Sequence, residues 1–348
     1  MFAGRNMTLT TPARVTLYLV DSGDVDMNDP DMWHLESSSG PLAGRVPTWD
    51  DDAHVYANDE RFISGGIQCH TLTFEVNGTS NLSFYGEPIS VFLLKVSGGD
   101  ANISLYCYLY GSIYMSASDC YFYISGHYLS QHPQATDTTT VCDGNALQVY
   151  FQDSECDVYM NGYYSVFGGN CTGDVYLVGD NSYNQAAPAF IDGTIYCIGK
   201  YTANYGQASY GVFSGEGSHN DGGIYVDATF SGVGSYSQGG SYIYGNSEFS
   251  GIGSYCLGVG SQVTLSGEDS YLGAYGGFAH ILICSGLRSR NLGFVDADAY
   301  FSGAFSENES LDGTIQGQVN VNSYASAGSG KTGNRDIGGT VNGSRIAI

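Results

Sequence analysis

Three stretches of this sequence have the residue types and spacing to do chemistry. The first is Ala325-Ser-Ala-Gly-Ser-Gly-Lys-Thr332. It carries the ending and the four-residue spacer of a phosphate-binding loop. Such a loop works only between a strand and a helix whose N-terminus faces the phosphates. Thr314-Ile-Gln-Gly-Gln-Val-Asn-Val321 alternates well enough for the strand. No helix can follow, because Gly338-Gly339 would break it. The match is therefore read as a product of a Gly-, Ser- and Ala-rich terminus, and no nucleotide cofactor is expected.

The second stretch is the acidic run Asp21-Ser-Gly-Asp-Val-Asp-Met-Asn-Asp-Pro-Asp31. Asp24, Asp26 and Asn28 follow the alternate spacing of hard oxygen ligands, so they are candidate calcium ligands. The run then departs from the calcium-loop pattern, with Asp29 at the sixth position and Leu35 at the twelfth. A solvated acidic turn is the competing reading. The third stretch holds Asp153, Glu155 and Asp157. On a single strand all three would share one face. Crowded carboxylates raise one another's pKa, and can then act as acid and base or gather a divalent cation. They are the candidate catalytic residues, and a turn near Ser154 that separates them is the alternative. The seven histidines show no cluster along the sequence.

Charge excludes some partners. The chain holds 35 acidic against 11 basic residues, a net charge of −24. From Val96 to Leu287 the sole Lys or Arg is Lys200. Binding nucleic acid needs Lys and Arg to displace counterions, so nucleic acid is not an expected partner. No apolar run of transmembrane length occurs, and no membrane insertion is expected. The N-terminus lacks the apolar core of a Sec signal peptide.

The elements that must position these groups are short strands. Gly is 50 of 348 residues, about double the usual ~7%, and Tyr is 29. A unit recurs: a β-branched residue, Tyr, two residues, then Gly. It appears as Asp157-Val-Tyr-Met-Asn-Gly162, Asp174-Val-Tyr-Leu-Val-Gly179 and Thr194-Ile-Tyr-Cys-Ile-Gly199. Tyr159, Tyr176 and Tyr196 are 17 and 20 residues apart. Looser copies place Tyr225, Tyr242, Tyr255 and Tyr271 in the same series. Short β-rich strands ended by Gly predict corners with positive φ. Coils stacked ~4.8 Å apart bury what a single coil cannot. The predicted fold is all-β, a parallel β-solenoid (β-helix) whose tyrosines form ladders. A β-sandwich or jelly roll is the alternative, supported by the alternation of Thr71-Leu-Thr-Phe-Glu-Val76.

Three zones are expected. Residues 1–65 hold both tryptophans, Trp33 and Trp49, and read as an N-terminal cap or attachment segment. Residues 66–305 read as the repeat body. Residues 306–348 read as a terminal coil and a Gly/Ser/Asn-rich tail. None of the nine cysteines forms C-x-x-C, so they are read as small apolar residues in stacks. Cys142, Cys156 and Cys171 follow one another at about one repeat length.

The Tyr- and Gly-rich, Lys-poor repeat from 66 to 305 resembles phage tail-spike and tail-fibre proteins and bacterial surface β-helix proteins. That resemblance implies an elongated, non-enzymatic structural or receptor-binding element on a virion or extracellular surface, often a homotrimer. Tyr and Asp on its flank suit neutral glycans or a host surface receptor. Parallel β-helices also carry polysaccharide lyases and hydrolases, so a carbohydrate-active enzyme is the alternative. Against it, Ser125-Gly-His127 is followed by Tyr128 where polygalacturonase-like enzymes have Gly.

Overall fold

A computed structural model describes residues 14–347 apart from 21–22, 58–60, 77–79, 86–88, 100, 106, 119–120, 128–138, 144, 147, 155–156, 186–189, 239, 274–276, 305, 309–313, 316–318, 322–339 and 342–344. The chain winds as a parallel β-solenoid with three faces, and no α-helix occurs among the described residues. Nearly every pairing is parallel, between strands one coil apart, which removes the hairpin-built jelly roll.

The broad face carries the longest strands. Its rungs run through Leu17, Ala53, Leu72, Leu94, Ile113, Thr140, Val158, Val175 and Ile195. The tyrosine face is built mostly from two-residue strands, such as His219–Asn220, Tyr236–Ser237 and Tyr255–Cys256. The narrow face takes pairs such as Ile191, Ala208, Ile224 and Ile243. Short strands suffice because their backbone groups pair with the coils above and below.

Alternation along each broad-face strand sends every second residue inward. One inward column reads Met160, Leu177, Cys197, Phe213, Phe230, Phe249, Leu265, Cys284 and Phe301. Its members are fully or almost fully buried. Phe213, Phe230 and Phe249 stack with centroids 4.6 and 4.4 Å apart. Burying each ring contributes about 2–3 kcal/mol. A second column on the tyrosine face is polar: Asn184 donates to Asn204 and Asn204 to Asn220, each at 2.8 Å.

The corner between the broad and tyrosine faces repeats one local device. Phe213-Ser-Gly-Glu-Gly-Ser218, Phe230-Ser-Gly-Val-Gly-Ser235 and Phe249-Ser-Gly-Ile-Gly-Ser254 show it most plainly. The second Ser is buried and donates to the carbonyl of the first Gly at 2.8–2.9 Å. That Gly has no room for a Cβ, which would strike the backbone carbonyl of the preceding coil's Gly. The residue before the second Ser, or before Thr202 in its place, is left-handed in coil after coil: Tyr164, Asn181, Tyr201, Gly217, Gly234, Gly253, Asp269 and Arg288.

Of the 1–65 segment, strands Val15–Leu19, Asp51–Ala57 and Arg61–Ser64 already pair in parallel with later coils. Strand Trp33–Leu35 lies antiparallel on Val15–Leu19 and occupies its outer edge. The segment that follows returns along it, with an antiparallel bridge between His34 and Leu42. Trp33 is buried beneath it, and its ring N–H donates to the Met27 carbonyl at 2.9 Å. Arg45 and Asp51 close the intervening loop through two hydrogen bonds of 2.5 and 2.7 Å. Of the buried cysteines, Cys142, Cys197 and Cys284 share that inward column of the broad face, while Cys171 lies on the narrow face and Cys256 on the tyrosine face.

Candidate functional site

Asp24 accepts from the Phe62 backbone N–H at 3.1 Å, and Asp26 from that of Asn28 at 2.9 Å. A Cβ at Gly65, whose φ is 79°, would collide with the Asp26 carboxylate and the Asn28 amide. Asp24 thus fastens the first turn to the next coil, while the Asp26 carboxylate braces its own turn. Among the described residues no trio of His, Cys, Asp or Glu is arranged to hold a metal.

Asp153 and Asp157 do not share a strand. Asp153 lies in Gln148–Ser154, opposite His127, while Asp157 opens Asp157–Met160 on the broad face. The Asp157 carboxylate accepts from the Asp174 backbone N–H at 2.9 Å. Asp174 repeats the contact on Thr194 at 2.7 Å, and Asp227 repeats it on Asn246 at 2.7 Å. These acids bond the next coil's backbone where it bulges away from the ladder. Glu155, the Asp153 side chain and the loop Ala325–Thr332 lie outside the described residues.

The tyrosines form the predicted ladders, on two faces. Tyr159, Tyr176 and Tyr196 stack on the broad face at 4.4 and 4.5 Å with ring planes within 3°. His219, Tyr236, Tyr255 and Tyr271 stack on the tyrosine face at 4.8–4.9 Å, and Arg290 covers the end at 5.8 Å. Burial raises the phenol pKa of Tyr176, helped by the Asp174 charge, and pushes that of Tyr255 up to about 12. These phenols stay neutral at physiological pH. Stacking also consumes ring faces, so both ladders show solvent mainly edges and hydroxyls.

A ring face is available at a groove of about 420 Å³ along the repeated corner. Tyr201, Glu216, Gly217, His219, Val233, Gly234 and Tyr236 line it. Tyr201 lies across Gly217, where a Cβ would sit 2.7 Å from its ring, and is 57% exposed. Lys200 pairs with Glu216 at 2.8 Å beside it. Beyond Gly234 and Gly253 the Cβ positions face open space. The groove thus offers an aromatic face, a carboxylate, an imidazole and apolar side chains.

Two histidine–carboxylate pairs lie on the broad face near its first coils. His54 lies 3.4 Å from Glu75, and His70 lies 3.8 Å from Asp52. The His54 ring sits between Tyr18 at 5.3 Å and Tyr56 at 4.5 Å. Burial lowers the pKa of His54 against the opposing pull of Glu75, and burial also lowers that of His70. No sequence motif announces this group, since its members come from adjacent rungs.

Comparison with protein-family models, with curated proteins and with solved structures returned no match.

Proposed function

We propose that the chain is a rigid structural and receptor-binding rod, displayed on a virion or an extracellular surface, that holds neutral glycan at the corner groove. One observation carries the reading. Tyr201, Glu216 and His219 stand fixed around an open groove on a scaffold whose corner repeats from coil to coil. A pyranose ring stacks on an aromatic face and bonds carboxylate and imidazole through its hydroxyls. A homotrimer and a calcium ion at the acidic turn are compatible with it, and both are open to direct measurement by mass and by metal analysis. The test is a screen of immobilised neutral glycans, followed by the same screen with Tyr201→Ala. Binding that falls about tenfold or more with Tyr201→Ala supports the site, and silence across the screen refutes the glycan reading.

A second reading, a carbohydrate-active enzyme, is favoured by the two histidine–carboxylate pairs on the broad face. Such chemistry needs two carboxyl groups about 5–10 Å apart around a bond. Release of new reducing ends from a polysaccharide, lost in Glu75→Gln and Asp52→Asn, would establish it.

A further inference from the structure

A smaller groove, of about 200 Å³, lies on the broad face and is separate from the glycan groove. Its lining includes Thr73, Lys95, Ser97, Tyr114, Ser116 and Asp143. Parallel register builds it from neighbouring rungs. Thr73 stands beside Lys95 and Lys95 beside Tyr114, while Glu75 stands beside Ser97 and Ser97 beside Ser116. Two adjacent columns thus present a cation, three hydroxyls and an aromatic ring that is 47% exposed.

The charge at this spot is unusual for the chain. With a net charge of −24, most of the surface repels anions. Lys95 is exposed and has no ion-pair partner among the described residues. Lys200, by contrast, is tied to Glu216. A free ammonium in a groove seats one anionic group. The hydroxyls of Thr73, Ser97 and Ser116 suit a polyhydroxylated ligand, and the Tyr114 ring suits a flat, partly apolar ring face.

The ends of the groove restrict the ligand further. Glu75 stands at one end, beside His54, and Asp143 at the other, where it accepts from the Asn161 amide at 2.8 Å. Two carboxylates flanking one ammonium disfavour a multiply charged ligand such as a phosphate ester. A ring with one negative group and neutral hydroxyls fits both constraints.

The geometry points to the Lys95 groove as a binding site for a carboxylate-bearing sugar of the uronic-acid class. The carboxylate pairs with the Lys95 ammonium, the ring rests on Tyr114, and the hydroxyls bond Thr73, Ser97 and Ser116.

The test uses the full chain and a matched pair, glucuronate and glucose, which differ by the carboxylate. Titration calorimetry or ligand-observed NMR reads the affinities. Glucuronate is expected to bind at least about tenfold more tightly than glucose, the scale of one charge-assisted contact. Lys95→Met should bring glucuronate down to the level of glucose. Because Lys95 is exposed, that variant should keep the wild-type circular dichroism and melting temperature. Tyr201→Ala should leave the preference for glucuronate over glucose in place, so loss of the corner groove and loss of this site are told apart. No glucuronate binding, equal binding of both sugars, or full binding by a folded Lys95→Met protein overturns the proposal. So does inorganic phosphate competing as well as glucuronate, because the groove would then select only charge.

Discussion

Replacing Asn204 by Leu tests whether the buried amide ladder stabilises the solenoid or is merely tolerated by it. Asn204 is fully buried. It accepts from Asn184 at 2.8 Å and donates to Asn220 at 2.8 Å and to the Gly206 carbonyl at 3.2 Å. Leu keeps the volume, and the same column holds Phe167 and Leu272 in other coils, so the shape is acceptable there. What Leu removes is the hydrogen bonding. It strands the Asn184 N–H group and the Asn220 side-chain oxygen in a dry interior, while the Gly206 carbonyl keeps the Gly223 N–H at 3.1 Å. Each stranded group costs about 1–3 kcal/mol, so the single variant should lose roughly 2–6 kcal/mol. Changing Asn184, Asn204 and Asn220 together to Leu removes both sides of each amide pair. It also removes the Asn184 carbonyl oxygen, which is buried without a partner. The triple variant should therefore be more stable than the single one. Denaturant unfolding followed by circular dichroism gives the energies. Hydrogen exchange of the neighbouring rungs localises them, since a solenoid need not unfold in two states. A near-neutral single variant, or a triple variant costing about three times the single, would refute the reasoning.

Other perturbations follow from the same geometry. Gly232→Ala should cost about 3 kcal/mol, because its Cβ would strike the Gly215 carbonyl. Gly234→Ala, at φ 64° with open space around it, should cost about 1 kcal/mol, and thermal melts of the two variants compare them directly. Cys69, Cys142, Cys171, Cys197, Cys256 and Cys284 are buried, and burial pushes the Cys256 thiol up to about 12. These six should resist a thiol reagent in the folded protein and react once it is denatured. Stability should also fall on acidification. The unfolded chain binds a proton on His54 near pH ~6.5, whereas burial holds the folded imidazole below that value. The contribution is whole above pH ~6.5 and is lost as pH falls through the window beneath it. His54→Gln should flatten that part of the stability–pH curve, and an unchanged slope would count against the assignment.

The fold was legible because its causes are local. Gly-terminated strands of β-branched and aromatic residues leave little besides short parallel rungs. The coil itself was harder to read. Tyr225, Tyr242, Tyr255 and Tyr271 look like one series, yet Tyr242 pairs on the narrow face while Tyr255 and Tyr271 stack on the tyrosine face. Cys142 and Cys171, which with Cys156 follow one another in the sequence at about one repeat length, stand on different faces. The truer signature is the corner, an apolar residue followed by Ser-Gly, two residues and Ser. It is plain in the sequence from Phe213 onward. Serines there suggest a solvated turn, and only the structure shows that each second Ser is buried and bonded to a carbonyl.

The candidate sites were illegible for a reason that belongs to the architecture. In a helix or a tight loop, residues that act together sit a few positions apart, and spacing reveals them. On a solenoid face the partners are a whole coil apart, as with His54 and Glu75 or Thr73 and Lys95. Coil length varies, and bulges such as the one between Leu109 and Ser112 shift the register within a strand. Inward positions survive such shifts because any apolar residue of suitable size can fill them. Outward positions carry no such constraint, so nothing in the local pattern marks the ones that meet. Lys95 stands one residue before Val96, where the long stretch poor in Lys and Arg begins. The parallel register then sets that lysine beside Thr73 and Tyr114, where its charge has no partner among the described residues.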